Sequence, residues 1–509
     1  MSEEQRGPFS HIEEATISDL QALMASGQLT SSQLTEMYIA RIYALDQNGP
    51  TLKSVIELNP DALDIAQALD EERQTQGIRG PLHGIPLLLK DNIATLDKMQ
   101  TTAGSLALVG ARPPRDAYVA QKLREAGAVL LGKANLSEWA NFRSTTSSSG
   151  WSGRGGQTRN PYVLDRTPCG SSSGSAVAIA ANFAAAALGS ETDGSIICPA
   201  TSNGLVGIKP TLGLTSRAGV IPIAHSQDTI GPFARTVTDA ALLLGAITGI
   251  DTHDAATQTS SGKSYTDYTP FLHAHGLQGA RIGVPRTTYF GYNSKSDAIA
   301  EAALATMREL GAEIIDPANI ATSQAMAASD AEITVLLHEF KADLNVYLAA
   351  LSGTPIRSLA DIIAFNEAHA GVEMPYFGQE LLVRAQATTS LDDPKYLAAL
   401  ADNLRLSRQE GIDAVMDEYK LDALVMPSGG PSWCIDLITG DHTIGGSEQA
   451  AALAGYPLIS VPAGYTFELP VGITFLGRAY SEPTLIKLAY AFEQATKVRR
   501  GPKYLPTTP

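Results

Sequence analysis

Cysteine is scarce in this chain. Cys169, Cys198 and Cys434 are the only three among 509 residues, too few for a disulfide framework and without the paired spacing of a metal site. Cations are also in deficit. Lys and Arg number 37 against 53 Asp and Glu, leaving a formal charge of −16. That balance argues against a polyanionic partner, because nucleic-acid binding needs a cationic surface that releases counterions. No apolar run is long enough to span a bilayer; the longest, 175–188, is mostly alanine and is interrupted by Asn182. The opening MSEEQRGPFSHIEEA is polar and acidic, with no apolar signal-peptide core. These absences describe a soluble, acidic chain with no membrane or nucleic-acid partner. It is read as cytoplasmic, or as periplasmic or secreted where a leader has been removed.

What the chain does have is core material and turns. A composition 44% hydrophobic and 18% charged can bury a large interior, and 45 Gly with 28 Pro point to many turns rather than a helical bundle. Length alone suggests about three domains. The pattern along the chain argues otherwise. Ser18 with Gln21 and Thr30 with Gln33 have capping-box spacing, and Leu34, Tyr38, Ile42 and Leu45 form a helical stripe, so two helices are expected over about 10–47. The continuously apolar IPLLL, 85–89, reads as a strand covered on both faces. Asp116 is expected to cap a helix that stops at Gly127 before the strand AVLL. The same helix-to-strand grammar recurs over 296–315 and 411–426, and PLISVP with PVGITFLG form a late strand pair before a helix from Glu482. The expectation is an α/β fold: a large mixed twisted sheet flanked by helices on both faces. It is organised as one domain, with a core at about 75–250, a helical insertion at about 296–420, and an exposed loop at 251–268.

Three segments carry chemistry. In LLLKDN, Lys90 follows three leucines at a strand end, where apolar surroundings disfavour its ammonium form and can make it a base near neutral pH; the plainer alternative is an amine that snorkels to water. In PCGSSSGSAVAIAA, a Gly/Ser loop opens onto a helix, where free amides can hold an anion or a developing oxyanion; the alternative is a capping turn. In SETDGSIICPA, Ser195 sits among small residues, so a nucleophile and an oxyanion hole can share one turn; the alternative is an ordinary turn ending at Pro199. A competing reading makes Ser172 the centre of a G-x-S-x-G nucleophile elbow with an acid and His225, His338, His369 or His442 downstream. That motif needs an apolar strand before it, and RNPYVLDRTPC is not one. Ser260 and Lys263 match S-x-x-K, yet they lie in the polar stretch and no KTG accompanies them.

Taken together, LHGIPLLLKDN, GAVLLGKANLSEWA, GGQTRNP, CGSSSGSA, GSETDGSI, GIKPTLGLTSRAGVIP, QDTIGPFARTVTDAA and LPVGITFLG, in this order over roughly 10–495, closely resemble the amidase signature family. The resemblance implies a Ser–Ser–Lys triad: Ser195 as nucleophile, Ser171 as bridging serine after a cis Gly170–Ser171 peptide, and Lys90 as base. Backbone amides of Thr192, Asp193, Gly194 and Ser195 would form the oxyanion hole. It implies no metal and no cofactor.

Departures narrow the expected substrate. Many family members place Gly-Gly before the nucleophile and Arg soon after; here Asp193–Gly194 precede and Ile196, Ile197 and Cys198 follow. Without that guanidinium, small anionic half-amides and the glutamyl-tRNA amidotransferase role are disfavoured. SEWANFRS, SGWSGRGGQTRNPY and TDGSIICP look most like the peptide amidase branch, which implies hydrolysis of terminal carboxamides of peptides or amino acids. The alternatives are a general aliphatic or aryl amidase with the same triad, and a non-catalytic amidotransferase-type subunit. Phe142, Trp151, Tyr376, Met426, Pro427 and Trp433 are candidates for the substrate pocket, with core packing as the alternative for each. Cys169 and Cys198 are expected to be buried small hydrophobes.

Overall fold

The computed structural model describes residues 9–509, so the polar opening through Pro8 lies outside the described residues. Eleven strands form one sheet. In spatial order they are Val55–Leu58, Val129–Ala134, Pro86–Lys90, Ala186–Glu191, Thr229–Ala234, Val206–Lys209, Leu458–Thr466, Leu469–Leu476, Ala423–Pro427, Arg281–Gly283 and Glu313–Ile315. Pairing is parallel on both sides of Pro86–Lys90 and among the last three strands, and antiparallel through the middle. The mixed α/β architecture flanked by helices is thus present. The central strands are buried at every residue, which explains why apolar residues in them follow one another rather than alternate with polar ones, up to the polar ends Lys90 and Ser190–Glu191.

The helix Ser173–Ala180 is buried along its whole length. It packs against the strands Val55–Leu58, Pro86–Lys90, Val129–Ala134, Ala186–Glu191 and Thr229–Ala234. Such close approach requires small residues, which is why SGSAVAIA carries no side chain larger than isoleucine. A Cβ added to Gly174 would run into the backbone carbonyls of Ser54 and Asn135. Between residues 331 and 404 the chain is mainly helical. These helices bury Leu337, Phe340, Leu344, Leu359 and Leu382 in a cluster with Leu108, Leu136, Trp139 and Phe142. No helix among the described residues is long and apolar enough to cross a membrane.

Local readings need two corrections. The first helix starts at Ile17 and is boxed by Thr16 with Asp19, not by Ser18 with Gln21. The Ile17 amide is held by Asp239 (3.2 Å), and Ile17, Leu20 and Met24 face the core, so Ser18 falls inside the first turn. The Thr30–Gln33 box is formed as expected. Asp116 does not cap Tyr118–Glu125; its carboxylate is already taken by the Leu96 amide (2.6 Å) and Arg124 Nε (2.9 Å). The 251–268 stretch is largely exposed and holds neither a strand nor an α-helix; it is pinned where Thr257, Ser260 and Tyr268 are fully buried and where Asp254 pairs with Arg217.

The packing at Gly174 yields a measurable expectation. In an open helix, Gly→Ala adds about 1 kcal/mol of stability. Here the collision with two carbonyls reverses the sign, and Gly174→Ala should lose about 1–3 kcal/mol, read as a lower denaturation midpoint with unchanged m-value.

Candidate active site

Lys90 ends a strand that runs parallel to both neighbours, so its side chain emerges at the carboxyl end of the sheet, where α/β folds place their sites. It is completely buried and does not reach water. Its Nζ donates to Ser171 Oγ (2.7 Å), Ser190 Oγ (2.9 Å) and Ser190 O (3.2 Å), and Asn92 Nδ2 shares Ser190 Oγ (2.9 Å). Burial lowers the lysine to about 7, while the charges of Asp228 and Glu191 hold it from falling further. Lys90 is therefore partly neutral at neutral pH.

Ser171 is fully buried and follows a cis Gly170–Ser171 peptide. Its carbonyl accepts from the Ser137 amide (3.1 Å), and a Cβ on Gly170 would meet the hydroxyls of Ser137, Ser149 and Ser173. The Ser172 amide donates to Ser195 O (3.2 Å), fastening this loop to the next. Ser172 itself is enclosed, and its hydroxyl donates to Ser190 O (3.0 Å). With no strand before Gly170, the elbow reading does not fit.

Ser195 leaves the strand Ala186–Glu191 through a turn in which Gly194 adopts φ +78°, a left-handed conformation suited to glycine. Two anchors hold this turn. Thr192 Oγ1 donates to Asp228 (2.6 Å), whose other oxygen accepts from the Ile223 and Ala224 amides (2.8 and 3.0 Å). Glu191 accepts from the amides of Ile196 (2.6 Å) and Ile197 (2.9 Å), and the Gly194 amide also lies against it. Burial pushes Asp228 up to about 6, against the hydrogen bonds from Thr192, Ile223 and Ala224. Asp193 is open to the cleft. Enclosure among the cleft walls, then the nearby Glu332, Glu448 and Glu191, keep its carboxyl well above the carboxylate range.

Cys169 and Cys198 form a disulfide across 29 residues of chain, with Cα atoms 5.9 Å apart. This corrects the expectation of two inert hydrophobes: loop geometry, not spacing in sequence, brings them together. The bridge joins the residue before Gly170 to the first turn after Ser195. Cys434 is free and exposed.

A cavity of about 220 Å³ lies against Cys169, Gly170, Asp193 and Gly194 and is also lined by Trp433, Asp441 and Glu448. A second, of about 330 Å³, reaches Asn92, Ser190, Thr192 and Asp228 from the side of Tyr347 and His225. Of the pocket candidates, Trp433 lines the first cavity, its Nε1 donating to Asp441 (3.2 Å). Trp151 is buried edge-on to exposed Tyr376 (5.7 Å) and under the Arg143 guanidinium. Phe142 packs on Phe340, and Met426 is core; for both, core packing is what the structure shows. Pro427 ends a fully buried strand. Among the described residues one cluster could hold a metal ion, His225 with Glu339 and Asp343. There the imidazole already bridges Asp343 (2.8 Å) and Glu339 (3.3 Å).

The sequence model of the Amidase family matches residues 33–486. The chain belongs to the Amidase family. It is a hydrolase acting on linear amide C–N bonds. A probable amidase of Arabidopsis thaliana is 46% identical over 97% of this chain and 92% of that protein. The native peptide amidase of Stenotrophomonas maltophilia is 54% identical, covering 98% of this chain and all of that one, with TM-score 0.93. A glutamyl-tRNA(Gln) amidotransferase subunit of Moorella thermoacetica is 36% identical over 95% of this chain and 97% of that protein. Within this family setting, Asn92, Ser190, Glu191 and Asp228 stand around the lysine, although sequence reasoning singled out none of them. All four lie inside or beside the family segments LLLKDN, GSETDGSI and QDTIGP. Glu332 and Glu448 carry no such signal.

The disulfide gives a direct check. Thiol titration of the denatured protein without reductant should count one cysteine of the three, and three after reduction. Opening a 29-residue loop should cost about 3–4 kcal/mol of stability, seen as a lower denaturation midpoint in dithiothreitol.

Proposed function

We propose that the chain hydrolyses terminal carboxamides, of peptides or of amino acids, to carboxylate and ammonia through an acyl-enzyme on Ser195. The observation that carries this reading is the buried Lys90 amine, lowered to about 7, 2.7 Å from a buried Ser171 hydroxyl whose loop is tied to Ser195. A serine hydroxyl attacks an amide only as its proton leaves. Neutral Lys90 takes a proton from Ser171, which takes one from Ser195 as Ser195 Oγ bonds to the carbonyl carbon. The negative charge on the carbonyl oxygen faces backbone amides of the Thr192–Ser195 turn. Lys90 then returns its proton through Ser171 to the amide nitrogen, the C–N bond breaks and ammonia departs. Water repeats the cycle on the ester and frees Ser195. A base near pH 7 suits both directions of this transfer.

The likeness to a peptide amidase over essentially the whole chain supports the terminal-carboxamide choice. So does a nucleophile turn without a cationic side chain after Ser195. The charge of −16 weighs against an assembly that must accommodate tRNA. Because disulfides persist in oxidising compartments, the Cys169–Cys198 bridge favours the periplasmic or secreted reading over the cytoplasmic one.

Ammonia release from a peptide amide, an amino acid amide and a simple aliphatic amide tests the choice. The first two should turn over and the third poorly; equal turnover of all three would favour a general amidase, and none would favour a non-catalytic subunit. Ser195→Ala and Lys90→Ala should abolish release, and Ser171→Ala should lower kcat about 10²–10⁴-fold. Since the working form of Lys90 is the neutral one, kcat/KM should be level above about pH 7 and drop tenfold per unit below it. A rate unchanged down to pH 5 would contradict the lysine's role.

A further inference from the structure

The Ser190 hydroxyl receives two donors. Lys90 Nζ reaches it at 2.9 Å, and Asn92 Nδ2 also at 2.9 Å. A serine oxygen carries two lone pairs and one proton. Both lone pairs are thus occupied, and the proton is turned away from the amine. Ser190 and Asn92 both line the cavity of about 330 Å³, which gives that proton an open side.

Asn92 is held in place through its backbone, whose carbonyl accepts from the Ile221 amide (2.8 Å). Its side chain is 3% exposed. Among the described residues that side chain makes one hydrogen bond, to Ser190, and its Oδ1 has no partner. A carboxamide buried half-satisfied costs stability rather than adding it. What it does to Ser190 therefore accounts for Asn92 better than anything it gives to the fold.

The effect passes on to Lys90. A neutral amine donates twice and accepts once. With the Ser190 hydroxyl held as an acceptor, the two N–H bonds of Lys90 go to Ser190 Oγ and Ser190 O, and the lone pair is left for Ser171. That is the direction the base requires: Ser171 donates to the amine and is free to accept from Ser195. Without Asn92, the Ser190 hydroxyl can turn, donate to the same lone pair and oblige Lys90 to donate to Ser171 instead. We propose that Asn92, acting through Ser190, is a positioning residue that sets the direction of the Lys90–Ser171 hydrogen bond. The inference rests on the amide-hydrolase reading above.

The competing hydrogen bond is open only to the neutral amine, since an ammonium has no lone pair. Asp228 and Glu191 are the charges that act on Lys90. Asp91 is engaged with Thr102 and Arg154, and Lys133, on the other flanking strand, with Ile93 O and Thr101. Replacing Asn92 by an uncharged residue leaves all four in place. The working state, neutral and facing Ser171, then keeps its energy relative to the ammonium and loses only to the misdirected neutral state.

Ammonia release by Asn92→Leu is compared with that of the unaltered full chain from about pH 5 to 9, on whichever amide the unaltered chain turns over best. Above about pH 7, kcat/KM should fall about 5- to 10-fold, the worth of one neutral hydrogen bond. Towards acid the two profiles should converge, so that the variant's midpoint lies about 0.7–1 pH unit lower. In a Ser190→Ala background no hydroxyl can compete, and adding Asn92→Leu should cost nothing more. An equal fractional loss at every pH marks a structural role and overturns the inference, as does an unchanged plateau. A further loss in the Ser190→Ala background also overturns it. Absence of turnover by the unaltered chain on every amide overturns the hydrolase reading and this inference with it.

Discussion

A primary amine removed entirely from water either finds partners for its protons or gives one up. Lys90 does some of both, and much of the surrounding structure serves that compromise. Its three contacts suit a neutral amine, which donates twice and accepts once, as well as an ammonium, which donates three times. Ser171 is the partner whose hydroxyl can turn either way. The parallel strands on either side of Pro86–Lys90 keep water out and set Ser190 beside the amine. Asp228 and Glu191 supply just enough negative potential to keep the lysine near 7 rather than lower.

Those two acids have second tasks that tie electrostatics to geometry. Asp228 holds Thr192 and the amides of Ile223 and Ala224, and Glu191 holds those of Ile196 and Ile197. The groups that tune the amine thus also fix the turn bearing Ser195. A change at either would alter basicity and position together. Lys133 and Lys209 are equally buried lysines, lowered only to about 8. They donate to backbone carbonyls and to Thr101. Neither meets a serine hydroxyl such as Ser171 or Ser190, so burial alone does not give a lysine the partners of Lys90.

What could be read from the sequence was what is local. LLLKDN places its lysine at the end of a buried strand, GSSSGSA opens a helix, and ETDGS makes a tight turn; each is encoded within a few residues, and the family resemblance supplies their order. The helix starts failed where tertiary contacts chose the register: Asp239 decided for Thr16, and Arg124 with Leu96 took Asp116 out of its cap. Phe142 and Met426 have the chemistry of pocket residues, and only three-dimensional packing shows them to be interior. Glu332, Glu448 and the Cys169–Cys198 pair were illegible for a common reason. Their meaning arises from meeting residues tens or hundreds of positions away, and no periodicity or spacing encodes such a meeting.

The disulfide and the serine loops form one mechanical unit. Cys169 lies two residues before Ser171 and Cys198 three after Ser195, while the Ser172 amide clasps Ser195 O between them. Two loops of the same helix-and-strand junction are thus joined by a covalent tie on the outside and a hydrogen bond on the inside. Relative displacement of the two hydroxyls is resisted at both ends. The proposed proton transfer along the serines would have no tolerance for an extra ångström, because each step needs hydrogen-bond contact. On this view the bridge contributes to the site by limiting where Ser171 and Ser195 can go. The glycines at 170 and 174 do the same from beneath: their missing side chains let the loop and its helix lie directly on neighbouring hydroxyls and carbonyls. Rigidity around the serines and softness in the lysine's charge are then complementary requirements, one geometric and one electrostatic, met by the same few segments.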